Sequence, residues 1–233
     1  EDVKKKAVEN VGNGRKKRGA TLLLRDASST GGGVGTDPNK HVLEQVEDLT
    51  FKFRAGEFFQ NNPYVLPKLV AYVADRATRG SHIKNLIDAY CGGGLFCLTL
   101  SKHLQQCAGI EISDLNIQSA KGNARLNGIA NCDFVSGSAE SIFGQVDQSQ
   151  FDPSSTCVVI DPPRKGCSDE FLAQLFAFMP SRLVYVSCDP ATQARDAAAI
   201  LLAGFRLEEI QPFDLFPQTR HIENVITFDR IDR

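Results

Sequence analysis

Apolar positions along the 233-residue chain follow two regimes, and the change falls near Pro63. Beyond it, helically spaced blocks alternate with short apolar runs. In 65–77, Leu66, Leu69, Val70 and Val73 fall on one helical face, which predicts a helix. Residues 85–90 then read as a strand, 95–104 as a helix, 107–112 as a strand, and 114–127 as a helix capped by Ser113 or Asp114. The alternation continues through strands 132–136 and 156–161, helix 169–179, strand 183–187, helix 191–202, and strands 206–210 and 225–228. This order predicts an α/β fold with a doubly wound, mostly parallel sheet and room for an antiparallel strand near the end.

The first 55 residues are organised differently. Residues 20–25 and 42–53 read as strands, separated by the glycine- and serine-rich stretch Ser28–Asn39, which reads as a flexible loop. The chain therefore divides into a basic, β-rich N-terminal appendage (1–55) and a catalytic-size α/β domain (56–233). The first residue is Glu1 and not Met, and the sequence reads as a fragment of a longer protein.

Charge sharpens that division. The whole chain has 26 Lys and Arg against 28 Asp and Glu, which does not advertise a nucleic-acid partner. Residues 1–25, however, hold eight cations against three acids. Such a segment is either a solvated terminus or an arm that contacts phosphates. No apolar run approaches the ~20 residues needed to span a bilayer, and no signal-peptide pattern opens the chain, so an intracellular protein without a membrane partner is expected. The seven cysteines include no C-x-x-C pair, which argues against a zinc or iron–sulfur site. Cys97, Cys107 and Cys157 read as small buried hydrophobes in a reducing compartment.

Candidate chemistry gathers at predicted strand ends. Asp88-Ala89-Tyr90-Cys91-Gly92-Gly93-Gly94 closes one strand and opens a helix, where glycines admit a ligand close to the backbone. Glu111 ends the next strand, the position from which an acid accepts hydrogen bonds from a ribose diol. Together they point to a nucleoside-containing cofactor, without choosing between NAD and S-adenosylmethionine. Asp161-Pro162-Pro163-Arg164-Lys165-Gly166 follows a fully apolar strand, and its prolines fix a stiff loop that turns Asp161 into a cleft. Cys188 stands at the lip of strand 183–187, before the turn signal Asp189-Pro190. Glu223 sits just before the last strand, as either a surface carboxylate or a base, with His221 competing for the base role on intrinsic pKa.

Taken in order, Phe58-Phe59-Gln60-Asn61-Asn62, the 88–95 loop, 161–166, Ser187-Cys188-Asp189-Pro190 and 221–224 resemble the RNA uracil-C5 methyltransferases, most closely the eukaryotic tRNA branch. The resemblance covers about residues 50–230. It implies a Rossmann-like class I S-adenosylmethionine-dependent methyltransferase fold, with tRNA T-loop uridine as substrate and a monomeric enzyme favoured. It implies Cys188 as nucleophile, Glu223 as general base, and Gln60, Tyr90, Glu111 and Asp161 around S-adenosylmethionine, with no metal. Leu95 departs from the polar residue of many bacterial relatives. Neither the β-barrel that many relatives carry before this domain nor the cysteine cluster of the ribosomal-RNA branch is in the sequence.

That chemistry is coherent from first principles. Uracil C5 is a poor nucleophile until a thiolate adds at C6, and a base must later remove the C5 proton. Arg164, or the helix N-terminus after Pro190, is expected to lower the Cys188 pKa. Cys91 and Cys167 also lie in strand-end loops and compete for the nucleophile's place. Three other readings remain: an RNA-binding module with secondary catalysis, a uracil-C5 methyltransferase of ribosomal RNA, and an amino-group methyltransferase, which needs no cysteine and whose proline loop usually ends in an aromatic residue.

Overall fold

The computed structural model describes Leu24–Arg25, Val34–Gly35 and residues 40–231, apart from 56, 61, 139–143, 145 and 148. The basic segment 1–18, most of the expected strand at 20–25 and most of the loop at 28–39 lie outside the described residues. Leu24–Arg25 (β1) pairs antiparallel with Val34–Gly35 (β2). The single strand expected over 42–53 is instead a hairpin, His41–Val46 (β3) and Leu49–Arg54 (β4), because Glu47 adopts a left-handed φ of 53° and reverses the chain.

The rest is the expected doubly wound domain. Its elements are α1 (Leu66–Thr78), β5 (Asn85–Ala89), α2 (Leu95–Leu100), β6 (Gln106–Glu111), α3 (Asp114–Leu126), β7 (Cys132–Ser136), β8 (Thr156–Ile160), α4 (Asp169–Phe178), β9 (Arg182–Ser187), α5 (Pro190–Leu202), β10 (Phe205–Phe213) and β11 (Glu223–Arg230). The seven-stranded sheet runs β10-β11-β9-β8-β5-β6-β7. β7, β6, β5, β8 and β9 are parallel, while β11 pairs antiparallel with both β9 and β10. The strand order reverses direction at β5/β8, and the crevice outside the strand C-termini at such a switch point is where α/β sheets bind ligands.

Strand alternation divides the core into two layers. Leu86, Cys107, Cys157, Val159, Val184, Val186 and Val225 face α1, α2 and α3. Ile87, Val158, Ile160, Leu183, Tyr185 and Ile226 face α4 and α5. Three elements of this domain depart from the sequence reading. The helix expected over 95–104 ends at Leu100 and continues as a 3₁₀ turn, Ser101–His103. The last two strands are longer than their apolar runs, because each is completed by pairing across β11.

Side-chain amides fasten the hairpin to the domain. Asn127 of α3 accepts from the Thr50 N–H at 2.9 Å and donates to the Thr50 carbonyl at 2.8 Å. Asn123, one turn earlier, accepts from the Lys52 N–H at 2.8 Å and donates to the Gly93 carbonyl at 3.2 Å. The two amides pair with the open edge of β4, and Asn123 joins that edge to the glycine loop.

Candidate active site

The antiparallel strand builds the centre of the site. β9 and β11 pair with Asn224 opposite Ser187, so the next step of the register brings Glu223 to the position of Cys188. Cys188 lies two residues beyond Val186, and Glu223 two residues before Val225. Both side chains therefore continue the layer that faces α1–α3. Asp161, two beyond Val159, and Asp88, two beyond Leu86, follow the same parity. One thiol and three carboxyls thus share one side of the sheet along its C-terminal edge.

Each flanking loop has a local cause. Tyr90 adopts a φ of 67°, uncommon for a residue with a side chain, and turns the chain sharply at the end of β5. Gly94 caps α2 in the left-handed region with φ 88°, and a Cβ there would come within 3.1–3.2 Å of Phe134, Ala120 and Leu98. Glu111 fastens this loop from β6, accepting from the Gly92 N–H at 3.2 Å and from the Ser113 N–H at 2.9 Å. The segment before α1 is held by Asn62, whose Oδ1 accepts from the Tyr64 and Val65 N–H groups at 3.1 Å. Its Nδ2 donates to the Leu215 carbonyl at 3.1 Å. That bond places Gln60 against the loop between β10 and β11, which brings in Phe216 and His221 with rings 6.2 Å apart.

The result is a cleft of about 620 Å³ whose lining includes all six residues singled out from the sequence: Gln60, Tyr90, Glu111, Asp161, Cys188 and Glu223. Cys91 also lines it, beside the glycine loop. Cys167 does not: it is buried behind the proline loop, where its N–H donates to Asp196 at 2.8 Å.

Burial dominates the electrostatics. Glu223 is 2% exposed, and desolvation followed by the nearby Asp161 raises its carboxyl to about 8. Desolvation raises Asp161 to about 7. Asp88 is fully buried and pushed well above the usual carboxylate range, chiefly by desolvation, although its Oδ2 accepts from the Cys97 N–H at 3.1 Å. Glu223 is therefore a buried proton-binding group and not the surface carboxylate that its sequence position equally allowed. The half-buried Cys188 departs from the low pKa expected of it. Desolvation and Glu223 raise the thiol, and the hydrogen bond from Arg164 offsets them only in part. At the start of α5, Asp189 caps the helix by accepting from the Ala191 N–H at 3.1 Å and the Thr192 N–H at 3.2 Å.

These groups suit a bound cation next to a planar, polar ring. The two raised carboxyls on the cleft wall, Asp161 and Glu223, ionise more readily beside a positive charge. Gln60 Oε1, also on the wall, is a buried acceptor with no partner among the described residues, available to an N–H donor, while the equally unpartnered Asp88 Oδ1 lies behind the wall. Glu111 and the glycine loop offer the acid and close backbone that a nucleoside requires. A sulfonium-bearing nucleoside fits this donor set; as a methyl donor it would bring the electrophilic carbon.

Comparison with known proteins agrees with this geometry. The profile of the tRNA (Uracil-5-)-methyltransferase family matches residues 34–231. The chain belongs to the tRNA (uracil-5-)-methyltransferase family. It is 42% identical over 227 residues to the tRNA (uracil(54)-C(5))-methyltransferase of Schizosaccharomyces pombe, covering 92% of this chain and 42% of that protein. It is likewise 42% identical to the Saccharomyces cerevisiae enzyme of the same name over 84% of this chain and 32% of that one. The Pyrococcus abyssi tRNA (uracil-54, C5)-methyltransferase, solved in complex with S-adenosyl-L-homocysteine, superposes with a TM-score of 0.69 at 28% identity, over 88% of this chain and 48% of that one. The TYW2 of M. jannaschii, solved in complex with AdoMet, is 14% identical over 90% of this chain and 94% of that one with a TM-score of 0.58, and shares the fold alone. The fold is that of the class I S-adenosylmethionine-dependent methyltransferases, and this chain spans less than half the length of the two yeast relatives.

Sequence reasoning assigned no role to several residues that line the cleft, among them three apolar ones. Phe58 and Ile112 line it while remaining largely exposed, and Phe216 enters from the β10–β11 loop. An exposed aromatic beside Gln60 was the available signal for Phe58. Phe216 carried none, because its place depends on the bond between Asn62 and the Leu215 carbonyl.

Proposed function

We propose that this chain methylates uracil C5 in RNA, with a tRNA T-loop uridine as substrate and S-adenosylmethionine as methyl donor. The observation that carries the reading is the β9–β11 register, which sets a half-buried thiol beside a buried carboxyl on the wall of one cleft. The family membership and the names of the yeast and archaeal relatives support the choice of tRNA and of the donor.

In this reading the uridine leaves its stack to enter the cleft, at a cost of a few kcal/mol. The Cys188 thiolate adds to C6, and the electron pair of the C5–C6 double bond is displaced toward C5 and the O4 carbonyl. S-adenosylmethionine, when bound, supplies the methyl group that C5 acquires. Glu223 then accepts the C5 proton, the C5–C6 double bond re-forms, and the thiolate leaves. Arg164 stabilises Cys188 as the anion before addition and after release. Gln60 and Asp161 hold polar edges of the ring, and Glu111 faces the donor's ribose. Nothing in this scheme assigns a step to a metal. An amino-group methyltransferase would leave the paired Cys188 and Glu223 unexplained.

The deciding experiment incubates the chain and S-adenosylmethionine with a T-arm RNA carrying 5-fluorouridine at the target position. Fluorine blocks proton removal, so a covalent adduct on the Cys188 peptide is expected by mass spectrometry. An adduct on Cys91, or none in the presence of methyl transfer to ordinary RNA, would overturn the assignment.

A further inference from the structure

Helix α5 begins two residues after Cys188, and the polar side chains of its first two turns point back at the loops of the site. Asp196 is buried among them, at 1% exposure. Its Oδ2 accepts from the Cys167 N–H at 2.8 Å and from the Tyr185 hydroxyl at 2.7 Å. Its Oδ1 accepts from Arg195 Nε at 2.9 Å and Nη2 at 2.7 Å. The same Nη2 donates to the Lys165 carbonyl at 3.0 Å and the Cys167 carbonyl at 3.3 Å. Thr192, one turn earlier, donates its hydroxyl to the Arg164 carbonyl at 3.0 Å.

These bonds grip consecutive backbone groups of the loop that follows the two prolines. Gly166 shows how closely the loop is pressed onto the clamp. Its φ is +77°, and a Cβ there would lie 2.6 Å from both Asp196 Oδ2 and Arg195 Nη2. A buried carboxylate that accepts from one loop, one strand and one neighbouring cation is costly unless fully partnered, and Asp196 is fully partnered. None of these groups reaches the cleft. The loop they hold does, through Arg164, which is exposed, sits on no regular element, and lines the same cleft as Cys188.

We infer that Asp196, acting with Arg195, is a positioning residue that locks the proline loop onto the nucleophile's own helix and so holds the Arg164 guanidinium against Cys188. Cys188 stands two residues before the helix, and the clamp lies within the helix's first two turns. Cation and thiol are thereby referenced to one rigid element, while the proline loop supplies only reach. The inference rests on the reading of Cys188 as nucleophile, but its test needs neither RNA nor methyl donor, so failure of one is distinguishable from failure of the other.

The test is the pH dependence of iodoacetamide alkylation at Cys188, followed on its own peptide by mass spectrometry. Arg164→Gln is expected to move the alkylation midpoint upward by about half to one pH unit, the low end of what an adjacent cation does to a titrating group. Asp196→Asn should reproduce that shift, and the Arg164→Gln/Asp196→Asn double variant should add nothing further. Arg195→Gln removes the exposed half of the clamp without touching the buried carboxylate. It should shift the midpoint in the same direction even where Asp196→Asn folds poorly. Asp229→Asn breaks the ion pair to Arg182 at 2.6 Å on the far end of the same sheet, and serves as the control for general loosening. The inference is overturned if Arg195→Gln and Asp196→Asn leave the midpoint at the wild-type value. It is overturned equally if their shifts add to that of Arg164→Gln, or if Asp229→Asn moves the midpoint as far.

Discussion

At the residue scale, the consequence of burying Glu223 beside Cys188 is a division of labour that substitution can separate. Glu223→Gln keeps the shape of the side chain and removes its capacity to take a proton. Addition of Cys188 to C6 is then still allowed, while release is blocked. The variant is expected to lose about 10²–10⁴-fold in turnover, the usual range for a general base. It should also accumulate an RNA adduct that survives denaturing electrophoresis. Cys188→Ala should form no adduct at all. Loss of turnover in Glu223→Gln without an adduct would mean that Glu223 acts before the bond to C6 forms.

The same carboxyl makes a pH prediction whose sign is fixed. Glu223 rises from the ordinary value near 4.5 to about 8 on folding, so the folded chain holds this proton more tightly than the unfolded one. Its contribution to stability is complete below pH 4.5 and is lost as pH climbs through 8. Asp161 behaves likewise, up to about 7. Without ligand, the melting temperature should therefore fall between these limits, with each group contributing up to about 1.4 kcal/mol per pH unit. Glu223→Gln should flatten the upper part of that decline. An unchanged melting profile across pH 6 to 8 in the variant would show that the carboxyl is ionised in the folded chain.

At the scale of elements, the alternation of helix and strand was legible because burial of both sheet faces leaves apolar runs that periodicity detects. The features that complete the site were not, since each depends on contacts distant in sequence. Nothing local to Glu223 says which strand will lie opposite it, and only the antiparallel register with β9 converts an ambiguous carboxylate into the neighbour of Cys188. Tyr185 reads as one more apolar strand residue until its hydroxyl meets Asp196. Asn123 and Asn127 read as ordinary polar positions of α3, yet they bond backbone groups 71 and 77 residues away. The hairpin's attachment can be tested there. Asn127→Ala leaves both Thr50 backbone groups unpaired and should cost about 1–3 kcal/mol by denaturant titration. Asn123→Ala should cost a similar amount and, through Gly93, also weaken S-adenosylmethionine binding in calorimetry. Equal donor affinity in the two variants would separate the hairpin from the glycine loop.

At the scale of the whole molecule, charge is distributed against the average. Eight of the 26 cations fall within the first 25 residues, where they face only three acids, so the remainder of the chain is acidic overall. On the proposed function, the cations lining the cleft, Arg164 and Lys165, hold a polyanion against a mildly repulsive background, and the N-terminal cations are expected to attract it. Affinity for RNA should fall steeply with salt, and the N-terminal cations should account for much of the slope. Each phosphate contact contributes about 0.7–0.9 to the slope of log K against log salt. Deletion of residues 1–18 removes seven cations and should reduce the slope for a T-arm hairpin by several such increments, measured by anisotropy between 50 and 200 mM salt. The covalent chemistry should survive the deletion, with 5-fluorouridine adduct formation slowed at limiting RNA and restored at saturating RNA. A slope that does not change would move the RNA-binding surface onto the α/β domain itself, and a slower adduct at saturating RNA would make the basic segment part of the cleft's own alignment.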